Sequence, residues 1–277
     1  MIELTTEREI DAFRESCTGS LGLVPTMGAL HAGHASLIRQ SMASCDNTLV
    51  SIYVNPTQFA PHEDFDDYPR SLMHDKEMCQ SLGISAVFVP TEAVMYPDGK
   101  MARYAPDDQL ALIMCGKTRP HFFYGVCNVV ERLFGMIEPS HAFFGNKDLQ
   151  QRVIIEQMVK DLELPIEIIG CPIIRESNGL AMSSRNAYLD DQARDRSTNI
   201  SKVLHDVAIH VRVDRWSTHR VRQFVAAELE GRGLKGDYVE VFRPTTGCIV
   251  DGVIEPGDHC CVAAWCDNIR LIDNWPL

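Results

Sequence analysis

Two histidines three positions apart, His31 and His34, stand in VPTMGALHAGHASLI (residues 24–38), between an apolar run and a helical one. A histidine pair at a helix start is often surface chemistry. Three-residue spacing, however, turns both rings to one helical face, and Gly28 and Gly33 let a ligand approach the backbone with no Cβ in the way. A helix N-terminus offers free N–H groups and a positive dipole to an anion. The chemistry open to such a pair is hydrogen-bond donation to a nucleotide triphosphate as charge develops during attack at phosphorus.

GNKDLQQ (145–151) repeats the design, with a glycine turn and then Lys147 and Asp148 at a helix start. The lysine can neutralise phosphate and the aspartate can accept from a ribose hydroxyl; the plainer alternative is a helix capped by Asn146 or Asp148. MSSRN (182–186) adds two hydroxyls and Arg185 in a glycine-flanked loop, where serines also simply form turns. YVNPTQF (53–59) presents Asn55 and Gln58, neutral groups suited to orienting a small polar substrate, or else a turn around Pro56. The acidic HEDFDDYPR (62–70) lacks Ca²⁺-loop spacing and reads as a solvated loop. Three anion-binding patterns, two of them at strand ends, coincide by chance far less often than one.

These residues need a scaffold. Thr6 and Glu9 make a capping-box pattern for a first helix carrying Ile10 and Phe13 on one face. Short apolar runs at 21–26, 48–55, 84–90, 141–145 and 166–174 read as strands, alternating with helical patterns from His34, at 71–83, 126–137 and 149–162. That alternation predicts βαβ units around a parallel sheet, in which ligands bind beyond the carboxyl ends of the strands. The pattern changes at RESNGLAMSSRN (175–186), and the boundary is placed there, giving units 1–178 and 179–277. The second contains helical segments near 190–211 and 215–231 and strands at 237–244 and 260–266, a smaller α+β unit.

The 277 residues, 45% hydrophobic, can build two packed cores. A formal charge of −12, from 26 basic against 38 acidic side chains, argues against nucleic acid as a partner. No apolar segment approaches membrane-spanning length and the N-terminus is acidic, so the expectation is a cytoplasmic protein without a membrane partner. The ten cysteines include no C-x-x-C pair, and most sit in apolar runs as small buried hydrophobes. His259 beside Cys260 and Cys261 is the one ligand-like arrangement. Adjacent strand residues point to opposite faces, which favours a core role.

PTMGALHAGH, VSIYVNPTQF, YPR, YPDG, FFGNKDLQQ, GLAMSSRNAYL and RLIDN, in that order, resemble the pantoate-beta-alanine ligase family of the H-x-G-H nucleotidyltransferase superfamily over nearly the whole chain. The resemblance implies a Rossmann-like parallel-sheet N-terminal domain with a smaller C-terminal lid domain, a homodimer, and Mg²⁺ with ATP. The implied reaction has two steps: ATP adenylates pantoate, releasing pyrophosphate, and beta-alanine then displaces AMP to give pantothenate. By matching position, Met27, His31, His34, Gly145, Lys147, Asp148, Met182, Ser183, Ser184 and Arg185 would bind ATP. Of these, His31, His34, Lys147 and Arg185 carry the catalysis, and Asp148 takes the ribose. Gln58 and Gln151 would hold pantoate.

Two departures stand out. Asn146 replaces the acid of Gly-Glu-Lys-Asp, and RPHFFYGV (119–126) carries Phe122 where the family's Arg-Pro-x-His-Phe-x-Gly-Val has histidine, with His121 one place early. If 119–126 is extended, that shift turns His121 to the opposite face. The alternatives these departures leave open are an adenylyltransferase of another small acceptor and a catalytically weak nucleotide-binding relative.

Overall fold

The computed structural model describes residues 1–61, 63–100 and 103–277; His62 of the acidic stretch lies outside them. β1 (Ile2–Leu4) and α1 (Glu7–Ser16) open the chain, and the Thr6–Glu9 capping box forms with Ile10 and Phe13 buried. β2 (Leu21–Thr26), α2 (Ala32–Ser44), β3 (Asn47–Ile52), α3 (Leu72–Leu82) and β4 (Ala86–Phe88) follow. Next come three four-residue helical turns, α4 (Glu92–Met95), α5 (Asp108–Ala111) and α6 (Cys115–Thr118), then α7 (Phe122–Ile137), β5 (His141–Gly145), α8 (Leu149–Asp161) and β6 (Glu167–Cys171).

The six strands form one parallel sheet in the order β1-β4-β3-β2-β5-β6. Strand alternation sends neighbouring residues into two different cores. Leu23, Ala142 and Phe144 pack with Ile10 and Phe13 of α1 and with the apolar faces of α7 and α8. Val24 and Phe143 pack with Ile38 of α2 and Cys79 of α3. Helices therefore cover both faces, and the loops are left to the strand ends.

Beyond β6 lie α9 (Asp191–Ser197), α10 (Asn199–Asp214), α11 (Thr218–Gly231), β7 (Lys235–Arg243), β8 (Cys248–Ile249), β9 (His259–Cys266) and β10 (Ile269–Pro276). The strands form an antiparallel sheet in the order β10-β9-β7-β8. Cys260, Val262, Ala264 and Cys266 face the helices of this unit, whereas Cys261, with Phe242, joins the core beneath α7 and α8. The antiparallel sheet thus lies between its own helices and the parallel-sheet unit. No described helix is long and apolar enough to cross a membrane.

The expected α/β architecture with a smaller second unit is present, with local differences. β1, β8 and β10 have no counterpart among the predicted strands. The predicted segment 190–211 is two helices, α9 and α10. α7 begins at Phe122 rather than at 126, so RPHFFYGV is not extended: His121 has helical backbone and the one-place shift rotates a side chain by about 100° instead of reversing it.

Candidate active site

Strands β2 and β5 are hydrogen-bonded neighbours, while their chain successors run to opposite sides of the sheet, β3 beyond β2 and β6 beyond β5. The crevice between them is where an open parallel sheet binds ligands. A cleft of about 240 Å³ opens there. Met27, His31, His34, Gln58, Gly145, Lys147, Asp148, Gln151, Met182, Ser183, Ser184 and Arg185 all line it. A smaller cavity of about 100 Å³ adjoins it, sharing Lys147, Asp148, Gln151, Ser183, Arg185, Arg119 and Phe122.

The histidines are fixed by the helix they begin. His31 caps α2: its Nδ1 accepts from the Gly33 N–H at 3.1 Å, while His34 Nδ1 accepts from the His31 N–H at 3.2 Å. A ring nitrogen that accepts carries no proton, so both rings bear their hydrogen on Nε2. Burial, with the neighbouring Lys147 charge, lowers the His31 pKa to about 4. Burial, then His31 and then Lys147 lower that of His34 to about 3. The pair is neutral near pH 7, an oriented set of Nε2–H donors with centroids 4.1 Å apart. A Cβ at Gly33 would sit 2.8 Å from the His31 ring, so that glycine admits the ring, and it lines the cleft as well. Gly28 adopts φ +81°, where a side chain would be strained, and buried Asp75 of α3 accepts from the Ala29 and Leu30 N–H groups at 2.9 and 2.8 Å.

Lys147 and Asp148 belong to a 3-10 turn, Asn146–Asp148, that leads into α8. Neither Asn146 nor Asp148 makes a side-chain cap there, so the helix-cap alternative fails. Gln151 faces the cleft, whereas its neighbour Gln150 is buried in bonds to the Leu110 and Ile113 carbonyls. Gln58 ends a second 3-10 turn, Pro56–Gln58, with Nε2 donating to Met27 Sδ and Oε1 accepting from Asn55. Asn55 is buried and committed to Gly125, Thr57 and Tyr96, so it orients Gln58 and does not itself offer a free group to a substrate.

The acidic stretch departs from the solvated-loop expectation. Asp64 pairs with Arg185 through two bonds of 2.8 and 2.9 Å, and Glu63 pairs with Arg119 through two of 2.6 Å. Burial alone raises these carboxyls, but the arginine hydrogen bonds and charges outweigh it and hold both below the ordinary range. Arg119 lies 3.9 Å over the Phe122 ring. Glu63, Asp64, Asp75 and Arg119 escape the sequence reading because their partners are tens of residues away; the one local signal is the Ser71–Asp75 spacing, which brings Ser71 Oγ to Asp75 at 3.1 Å. Among the described residues no group of three or more His, Cys, Asp or Glu side chains is arranged to hold a metal ion.

A doubly covered parallel sheet with an H-x-G-H helix start and a lysine turn at its switch point is the arrangement of a nucleotide-binding α/β protein. Residues 3–276 match the sequence model of the family described as Pantoate-beta-alanine ligase. The chain is 41% identical over 257 residues to a pantothenate synthetase of Clostridium botulinum, covering 92% of this chain and 91% of that one. It is 43% identical over 259 residues to one of a Sulfurihydrogenibium species, covering 92% and 91%. Pantothenate synthetase from Thermus thermophilus superposes with a TM-score of 0.92 at 34% identity, covering 99% of both chains. A pantoate-beta-alanine ligase from Francisella tularensis, complexed with beta-gamma ATP and beta-alanine, gives 0.84 at 32% identity, covering 100% and 97%. The chain belongs to the pantoate-beta-alanine ligase family.

Proposed function

We infer that this chain condenses pantoate with beta-alanine at the expense of ATP, forming pantothenate, AMP and pyrophosphate. The observation that carries the reading is the convergence of neutral histidine donors and Lys147, from the ends of two adjacent parallel strands, on one cleft. In the first step a pantoate carboxylate oxygen bonds to the α-phosphorus while the bond from that phosphorus to the bridging oxygen breaks and pyrophosphate leaves. The Nε2–H groups of His31 and His34 meet the phosphate oxygens, Lys147 offsets the charge of the leaving group, and Asp148 accepts from the ribose. Met27, Gly145, Met182, Ser183, Ser184 and Arg185 complete the ATP site in this reading. Gln58 and Gln151 hold pantoate so that its carboxylate lies in line with phosphorus. In the second step the beta-alanine amine bonds to the acyl carbon, the bond from that carbon to the phosphate oxygen breaks, AMP departs with the electron pair and the nitrogen gives up a proton to solvent.

Mg²⁺ would ride on the ATP phosphates, which suits a chain with no three-ligand cluster among its described residues. Residues 1–178 form the nucleotide- and pantoate-binding unit and 179–277 a lid unit in the same proposal, which also takes the protein to be a cytoplasmic homodimer. The test is product analysis of ATP, pantoate and beta-alanine incubated with the protein. AMP and pantothenate in equal amounts, dependent on both acids, support the ligase; pyrophosphate release with AMP kept on another acceptor would replace it.

A further inference from the structure

The His259–Cys260–Cys261 run belongs to no group of three metal-ligating side chains among the described residues, and its histidine has a specific partner. His259 Nδ1 lies 2.9 Å from Oδ1 of Asn274 on the neighbouring strand β10. Asn274 is 3% exposed, and its Nδ2 donates to two carbonyls, Asn146 O at 2.8 Å and Lys147 O at 3.1 Å. With both amide hydrogens spent on carbonyls, Oδ1 must face His259, which must then donate from Nδ1. The next residue back, Asp273, accepts a two-point pair from Arg175 at 2.6 and 3.0 Å and also accepts the Asn274 N–H at 2.8 Å. Every polar atom of this amide is therefore bonded, from two strands of the antiparallel sheet to one turn of the parallel-sheet unit.

That turn lacks a side-chain cap of its own, and Asn146 Oδ1 is buried without a hydrogen-bond partner. The carbonyl grip from β10 therefore stands in for the missing local hold. We propose that Asn274 is a positioning residue for Lys147, fixing the phosphate-facing turn after β5 from the opposite sheet, with His259 locking the amide orientation. The proposal rests on the reading that Lys147 meets the ATP phosphates. Its consequence is specific: adenylation depends on Asn274, and attack of the amine on a finished adenylate does not.

The experiment compares pantoate-dependent ATP–pyrophosphate exchange with aminolysis of added pantoyl adenylate by beta-alanine. Asn274→Ala is expected to slow exchange by roughly ten- to a hundredfold, the scale of a displacement of about 1 Å at a reacting site, and to raise the KM for ATP above that for pantoate, with aminolysis within about twofold of the parent. In a Lys147→Ala background, read by AMP accumulation over long incubation, the same change is expected to add no more than about twofold, because the residue it acts through is gone. His259→Ala, which leaves Asn274 but frees its amide to turn, is expected to give a smaller loss with the same split, and serves if Asn274→Ala does not fold. Equal losses in both half-reactions, an exchange rate within twofold of the parent, or full multiplication with Lys147→Ala overturns the proposal. If Lys147→Ala costs adenylation and Asn274→Ala does not, the inference alone falls. If Lys147→Ala costs nothing, the functional reading falls and takes the inference with it.

Discussion

The turn after β2 caps its own helix with His31 and His34 and returns its backbone N–H groups to Asp75. The turn after β5, one strand away, has no side-chain cap and is gripped through its carbonyls by Asn274 of the other sheet. The first supplies uncharged, oriented donors and the second supplies charge. The difference follows from what each group needs. An imidazole is useful here only if its tautomer is fixed, and a local hydrogen bond fixes it. A lysine has three rotatable donors, so what must be set is the backbone that carries it, and a distant strand can do that.

The largest expected effect breaks the self-capped turn. His34→Ala is expected to cut pantoate-dependent ATP–pyrophosphate exchange by roughly 10²-fold or more, the scale of losing one transition-state donor. An unchanged rate in a folded variant would reduce the pair to a helix cap. The parent's pH profile sharpens the same point. Both pKa values lie far below the ordinary 6.5, so the working rings are neutral, and the exchange rate should show no histidine limb near 6.5, falling only as pH approaches about 4. Stability carries the matching sign. Unfolded histidines bind protons that folded ones refuse, so the contribution is full above 6.5 and is lost as pH falls from there toward the folded values. A fall in rate on the alkaline side of 6.5 that vanishes in His34→Ala would mean that the working ring is cationic, and an acid limb at 6.5 that vanishes in the same variant would mean that the neutral ring works with an undepressed pKa.

Gln58 tests the pantoate side of the cleft, where the two side chains assigned to the substrate are uncharged. Gln58→Ala is expected to raise the KM for pantoate by about tenfold, the worth of one or two hydrogen bonds, with the KM for ATP nearly unchanged. Because Gln58 also reaches Met27, which lies on the ATP turn, equal effects on both substrates would show that the two halves of the site are not separable.

The residues of both turns are legible, since each runs contiguously from a strand into a helix, and β2 and β5 stand at the bounds that their unbroken apolar runs predict for buried parallel strands. β1 is not legible, since Ile2-Glu3-Leu4 is three residues at a sheet edge, too short to show a period. The start of α7 was hidden by Gly125, which in isolation weakens a helix. In the fold a Cβ there would lie 2.3 Å from the Thr57 carbonyl oxygen, so the glycine lets α7 pack on the turn that carries Gln58. The holds on Lys147, Arg119 and Arg185 were illegible for one reason: their partners stand 127, 56 and 121 residues away along the chain.

The smallest expected effect concerns RPHFFYGV, whose Arg119 and Phe122 line both cavities. Phe122 carries the Arg119 guanidinium on its ring, and that guanidinium donates two hydrogen bonds to Glu63. His121 lines neither cavity; it precedes α7 without capping it, and its Nε2 stays 4.0 Å from Glu63. A ring so placed adds little to a charge already held by two short arginine bonds. His121→Ala is therefore expected to leave exchange within about twofold of the parent, the range of a substitution that removes no packing or pairing. The double change His121→Thr with Phe122→His is expected to raise exchange, because an imidazole at 122 keeps a flat ring under Arg119 and adds a donor toward the cleft that phenylalanine lacks. If His121→Ala abolishes exchange in a folded protein, the helix start rearranges on substrate binding and brings His121 into the cleft, and the wall assigned to Phe122 gives way to a working histidine one place earlier.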